Sequence, residues 1–147
     1  MDLDTLVKLN IYETIAETAT APTTHKVAKV LGVPLPEIDA AFKRLHEKRL
    51  LVPEPGDPSH IRMAPPFSGI ATPFLVKAWA KDYYANCVWD ALGIPAALHT
   101  DGIIEAADAH SGEPMSLEIR NGQPVPQACA IHFAVPAARW WDDIIYT

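Results

Sequence analysis

The chain has 147 residues, 49% of them hydrophobic, and a formal net charge of −6, which allows one sizeable core or two small packed units. No apolar run approaches the roughly 18 residues needed to span a bilayer, and the opening Met-Asp-Leu-Asp-Thr is acidic where a secretory signal would be basic. A cytoplasmic location with no membrane partner is therefore expected. The charge is unevenly spread: eight Lys and Arg face nine Asp and Glu up to Ala64, and four face nine from Pro65 onward, so neither part offers the basic face that nucleic acid needs.

In chain order, Leu3 to Thr18 carries apolar residues at Leu6, Val7, Leu9, Ile11 and Ile15, a helical period that predicts a first helix ending in the polar stretch Thr18 to Thr24. Thr24 can cap a short second helix through Val27, Val30 and Leu31 that stops at Gly32. Pro34 and Pro36 introduce a third, with Ile38, Ala41, Phe42, Leu45 and the stem of Arg49 on its buried face. Leu50 to Val52 and His60 to Met63 read as two short strands around the turn PEPGDP. Three helices and a hairpin in this order make residues 1–64 a winged-helix-like domain. Such a unit can bind DNA through its third helix, but Glu37 and Asp39 at that helix's start would repel phosphate. The reading preferred here is a packing or dimerising module, with nucleic acid an unexpected partner.

Residues 65–73, PPFSGIATP, are rich in turn formers and are expected to be a linker to a second domain, 74–147. Phe74 to Lys81 reads as a strand. Asp82 can cap a helix through Leu92, with Gly93 as its stop and Pro95 bending or restarting it towards Leu98. Cys87 then sits in the helix's second turn and Asp90 three residues later. At 3.6 residues per turn the two side chains lie roughly 60° apart around the axis, on one face. Two readings of Cys87 stand at this point, a small buried hydrophobe or a reactive thiol. Two cysteines this far apart do not form a disulfide framework, which leaves both thiols free. Asp90, on a segment poor in charge, must be solvated, paired or held neutral; partial burial would raise its pKa and fit it to donate a proton near neutral pH.

Downstream, Gly102 to Asp108 and Met115 to Arg120 read as strands paired around AHSGEP, and Asn121-Gly122 as a hairpin turn towards a further strand, Ala128 to Val135. In that strand Cys129 would share an apolar face with Ile131, Phe133 and Val135 as core packing, with His132 opposite. The last stretch, PAARWWDDIIYT, reads as a short turn or helix followed by the start of a β-rich run. The whole is an α+β fold: the winged-helix-like unit, then a small mixed or antiparallel sheet carrying a short helix with Cys87 and Asp90.

DYYANCVWDALGIPAAL, the turn HSGEPMSLEI and the spacing to VPAARWWDDIIYT resemble the organomercurial (alkylmercury) lyase family over roughly residues 74 to 147. The most specific part is Cys-x-x-Asp with a proline five residues beyond the Asp. The resemblance implies protonolysis of a carbon–mercury bond. Cys87 would be the catalytic thiol that binds mercury as substrate and product, and Asp90 the second catalytic residue, beside the metal, shuttling protons and delivering one to the leaving carbon. Hg(II) is soft and prefers thiolate, and a second thiolate pushes electron density onto the carbon. The implied partners are a small organomercurial and a free thiol as co-reactant, with no resident cofactor. The family's second active-site cysteine would fall at or just after Thr147, so the parent chain is expected to continue with a cysteine within a few residues. Two alternatives accompany this reading: a winged-helix transcription regulator sensing a metal or thiol-reactive ligand, and a relative that keeps the lyase fold for a different or no mercury activity.

Overall fold

A computed structural model describes residues 1–146. Its elements are helices α1 (Leu3–Thr18), α2 (Thr24–Leu31) and α3 (Leu35–Glu47), then strands β1 (Val52–Glu54), β2 (Asp57–Ala64), β3 (Phe67–Ser68), β4 (Phe74–Ala78) and β5 (Lys81–Ala85). Helix α4 (Val88–Leu98) follows, then β6 (Gly102–Ala107), β7 (Pro114–Arg120), β8 (Gln123–Pro124) and a short 3-10 helix, Ala137–Asp142. All eight strands lie in one antiparallel sheet in the order β1-β2-β3-β5-β4-β6-β7-β8. The fold is α+β. Among the described residues no helix is long and apolar enough to cross a membrane.

The three N-terminal helices form where local chemistry favours them. The Asp2 carboxylate accepts from the Thr5 N–H to open α1, Thr23 does the same for Lys26 at the start of α2, and Gly32 closes α2 in the left-handed region. Pro34 and Pro36 bracket the start of α3, whose buried face is Ile38, Ala41, Phe42 and Leu45, as the period predicts. On α1 the buried stripe is narrower than expected: Val7, Ile11 and Ile15 are inside, whereas Leu6 and Leu9 are exposed. Arg49 lies beyond the end of α3 with φ 59°, and its guanidinium stands 5.7 Å from the Trp141 ring. Asp4 joins α1 to α3 by accepting from Arg44 at 2.7 Å and Lys48 at 2.9 Å.

Within residues 65–73, Phe67–Ser68 pairs with β2 on one side and with Ala85 of β5 on the other, so the sheet runs unbroken from the first hairpin into the later strands. Gly69 makes this crossing possible, because a Cβ there would stand 1.7 Å from the Ile61 carbonyl oxygen. Two phenols bind α1 to the same region. Tyr12 donates to the Pro65 carbonyl at 2.7 Å and the buried Tyr83 of β5 to the Ala16 carbonyl at 2.6 Å. Helix α4 covers one sheet face, with Ala91, Ile94 and Leu98 against Val76, Ala78 and Ile104. The other face carries Lys77, Ile103 and Glu105, with Lys77 and Glu105 ion-paired at 2.7 Å.

Four expectations are corrected. The strand from Phe74 does not run into a helix capped by Asp82. It stops at Ala78, turns through Trp79 and Ala80, both at positive φ (50° and 56°), and returns as β5. Alternation decides this stretch: Tyr83 and Ala85 are buried and Asp82 is exposed, a period of two that a helix cannot satisfy. Helix α4 consequently starts later and continues through Gly93 and Pro95 to a left-handed cap at His99. Gly93 serves packing rather than termination, since a Cβ there would lie 3.2 Å from the Pro66 side chain. The strand expected over Ala128 to Val135 is irregular backbone instead, with Cys129 and Ile131 exposed, while Phe133 packs on Trp140 at 5.3 Å. After the 3-10 helix, residues 144–146 form a turn, not a strand, and Thr147 lies outside the described residues.

Candidate active site

The candidate site lies at the junction of β5 and α4. Because β5 ends at Ala85, Asn86 and Cys87 carry the chain out of the sheet, and Cys87 becomes the N-cap of α4, with extended backbone (φ −152°, ψ 179°) and a carbonyl that accepts from the Ala91 N–H at 2.9 Å. Cys87 is thus at the mouth of the helix and not in its second turn. Asp90 is in the first turn, so the expected proximity of thiol and acid is retained in a different geometry.

An N-cap thiol faces the unpaired amides and the positive end of the helix dipole, an environment that favours thiolate. Here the backbone amides of Asp90 and Trp89 pull in that direction, although Cys87 makes no side-chain capping hydrogen bond. Burial is the stronger influence and pushes the Cys87 thiol up, helped by the neighbouring Asp90 charge. The resting group is therefore a thiol.

Burial likewise raises the Asp90 carboxyl above its ordinary value, and the amide of Asn86, donating to Asp90 Oδ2 at 2.9 Å, opposes the rise by favouring the ionised form. The same nitrogen lies 3.4 Å from the Phe67 carbonyl of β3. Tyr12 feels the site from α1. Its phenol is pushed up to about 12, first by burial and then by the charge of Asp90. Tyr12, Phe67 and Tyr83 form a connected aromatic wall, with ring centroids 6.2 and 5.8 Å apart. Trp89 lies beside the thiol in sequence and is 60% exposed.

The structure therefore brings Cys87 and Asp90 together and keeps Cys129 apart, exposed in the irregular segment after β8 with Gln127 Nε2 at 3.6 Å from its sulfur. Two groups escaped the sequence reading. Asn86 was hidden by the helix placed over it, and Tyr12 by its position within an amphipathic helix 75 residues ahead of Cys87. Among the described residues no cluster of three or more His, Cys, Asp or Glu could hold a metal ion. A half-buried thiol and an acid at one helix mouth can bind a soft electrophile and protonate what departs from it.

Residues 67–147 match the family model for MerB, alkylmercury lyase. The crystal structure of the mercury-bound form of MerB2 superimposes with a TM-score of 0.64 at 22% identity, over 82% of this chain and 59% of that one. This likeness shows the fold, and the chain spans about 59% of the length of that structure. No curated protein matches the chain. The family match covers the strap β3, the sheet from β4 to β8, helix α4 with Cys87 and Asp90, and the tryptophan-bearing 3-10 helix, and the chain belongs to the alkylmercury lyase family.

Proposed function

We propose that this protein cleaves organomercurials by protonolysis, with Cys87 holding the mercury and Asp90 supplying the proton. The observation that carries this reading is the placement of both groups at the mouth of α4, the acid's proton affinity being raised by burial. In the proposed step, Cys87 exchanges its proton for R–Hg⁺, and a second thiolate joins the mercury and weakens the bond to carbon. Asp90 then gives its proton to the carbon, which keeps the electron pair of the breaking carbon–mercury bond and leaves as R–H. Hg(II) remains on two thiolates, Asp90 becomes a carboxylate, and no oxidant or reductant is required. The second thiol, expected at or just after Thr147, lies outside the described residues. A free thiol in solution is the co-reactant that removes the metal.

The regulator alternative has less support. Two of the four cations from Lys43 to Arg49, Arg44 in α3 and Lys48 at its C-cap, are engaged by Asp4 of α1 and so less available to a phosphate backbone. A packing role for the winged-helix-like residues 1–64 accords better with the two phenol bonds from α1 and β5. The deciding assay is incubation with an arylmercurial and excess thiol while released hydrocarbon is measured. Release that disappears in Cys87→Ala supports the lyase; none above that control overturns it.

A further inference from the structure

We propose that Asn86 is a positioning residue for Asp90, its side-chain amide strapping the carboxylate to the β3 backbone so that one oxygen, Oδ1, is aimed at the carbon bound beside Cys87. This inference rests on the lyase reading.

The observation is a pair of contacts from one nitrogen, Asn86 Nδ2 to Asp90 Oδ2 at 2.9 Å and to the Phe67 carbonyl at 3.4 Å. A primary amide carries two N–H donors in one plane, so one group can serve both acceptors. The Phe67 end is fixed: its side chain is 3% exposed, its backbone pairs with Ala85, and its ring lies against Tyr12 and Tyr83. Asp90 needs such an anchor, because Asn86 is the single hydrogen-bond donor to its carboxylate among the described residues. With Oδ2 accepting from the amide, the transferable proton resides on Oδ1.

The strap also favours the reaction itself. When the proton passes from Oδ1 to carbon and the carbon takes the electron pair of the carbon–mercury bond, Asp90 is left as a carboxylate. An N–H bond to a carboxylate is stronger than one to the neutral acid. The Asn86 contact therefore strengthens along the reaction coordinate, which lowers the barrier without tightening substrate binding. Among the described residues no other side-chain amide bonds to the Asp90 carboxylate.

The test compares Asn86→Leu, which keeps the volume without the amide, with Asn86→Gln, which keeps the amide on a longer stem. Both are assayed for hydrocarbon release from an arylmercurial with excess thiol. Alongside, side-chain couplings in protein carrying ¹³C-labelled aspartate report the rotamer of Asp90. Asn86→Leu is expected to lower kcat by about 10- to 100-fold with KM changed less than about 2-fold, and to release Asp90 into several rotamers. Asn86→Gln should recover part of the loss. A kcat within about 2-fold of wild type, or an Asp90 already averaged among rotamers in the wild type, overturns the proposal. So does a loss shared equally by kcat, mercury binding and thermal stability. If the wild type releases no hydrocarbon, the lyase reading falls alone: a rotamer locked only while Asn86 is present still upholds the strap.

Discussion

Replacing Asp90 with Asn should make the protein more stable at neutral pH while removing its chemistry. The carboxylate is withdrawn from water at the mouth of α4 and receives one amide hydrogen bond, from Asn86 at 2.9 Å. Leaving a buried polar group under-solvated costs about 1–3 kcal/mol, and one hydrogen bond returns about 1 kcal/mol. An asparagine keeps the shape, can still accept from Asn86 through its oxygen, and carries no charge to desolvate. The expected gain is on the order of 1 kcal/mol, or about 3 °C in Tm for a chain of this size. The gain has a pH signature. Because the folded pKa of Asp90 is raised, its stabilising contribution is fully present below 3.8 and is lost as pH rises through the folded value. Wild type and Asp90→Asn should therefore unfold alike below about pH 3.8 and diverge as pH rises, with the difference levelling off above the folded pKa. Urea unfolding across pH 3.5 to 8 measures this directly, the range being chosen to bracket the carboxylate region, roughly. A variant that is less stable than wild type at neutral pH, or a difference independent of pH, would refute the argument that burial governs this carboxyl.

The same substitution removes the charge that helps raise the thiol of Cys87, so Asp90→Asn should react faster with iodoacetamide at mildly alkaline pH; an unchanged rate would show that the two groups do not sense one another. Gly69→Ala places a Cβ 1.7 Å from the Ile61 carbonyl oxygen, and backbone must move, so a loss of about 3 kcal/mol or more is expected, read as a collapse of soluble yield or a large fall in the urea midpoint. Asp4→Asn removes the link from α1 to Arg44 and Lys48, whose side chains are 44% and 57% exposed. Allowing for that solvent, the cost is about 0.5–1 kcal/mol, and it should fade in high salt. The Asp4 carboxyl is held below its ordinary value by Arg44 first and Lys48 second. This contribution is present above pH 3.8 and disappears as pH falls through the folded pKa, a trend opposite to that of Asp90.

How far the sequence could be read depended on whether the deciding residues carried their own local signal. Helices α2 and α3 were legible because Thr24 (one residue past the actual cap, Thr23), Gly32, Pro34 and Pro36 punctuate them, and the pair β6 and β7 because the turn-forming AHSGEP lies between them. The β4 to β5 turn was not legible. Trp79 and Ala80 adopt positive φ, where Asn or Gly is the usual sign, and with the turn unseen, Asp82 read as a helix cap. That error moved Cys87 from the mouth of α4 into its body. The proximity of Cys87 and Asp90 survived because a spacing of three residues brings an N-cap near N3 much as it brings two turns of a helix together. Asn86 could not be recovered, since its role depends on a β3 carbonyl 19 residues earlier in the chain. The strand expected over Ala128 to Val135 failed for a different reason: alternation marks a strand only where an edge is available to pair with it, and β8 is followed by irregular backbone.

The two phenol bonds tie α1 to segments far along the chain. Tyr12 reaches a carbonyl 53 residues downstream, and Ala16 is met by a hydroxyl 67 residues downstream. Contacts so distant along the chain close late, after the entropy of a long loop has been overcome. Helix α1 can meet α3 through Asp4, Arg44 and Lys48 as soon as both have emerged, whereas its two phenol bonds form only after Pro65 and β5 are made. Strand β5 thus both carries the chain to Cys87 and supplies one of the two phenol bonds to the first helix, so a nascent chain halted before Tyr83 should hold that helix less firmly.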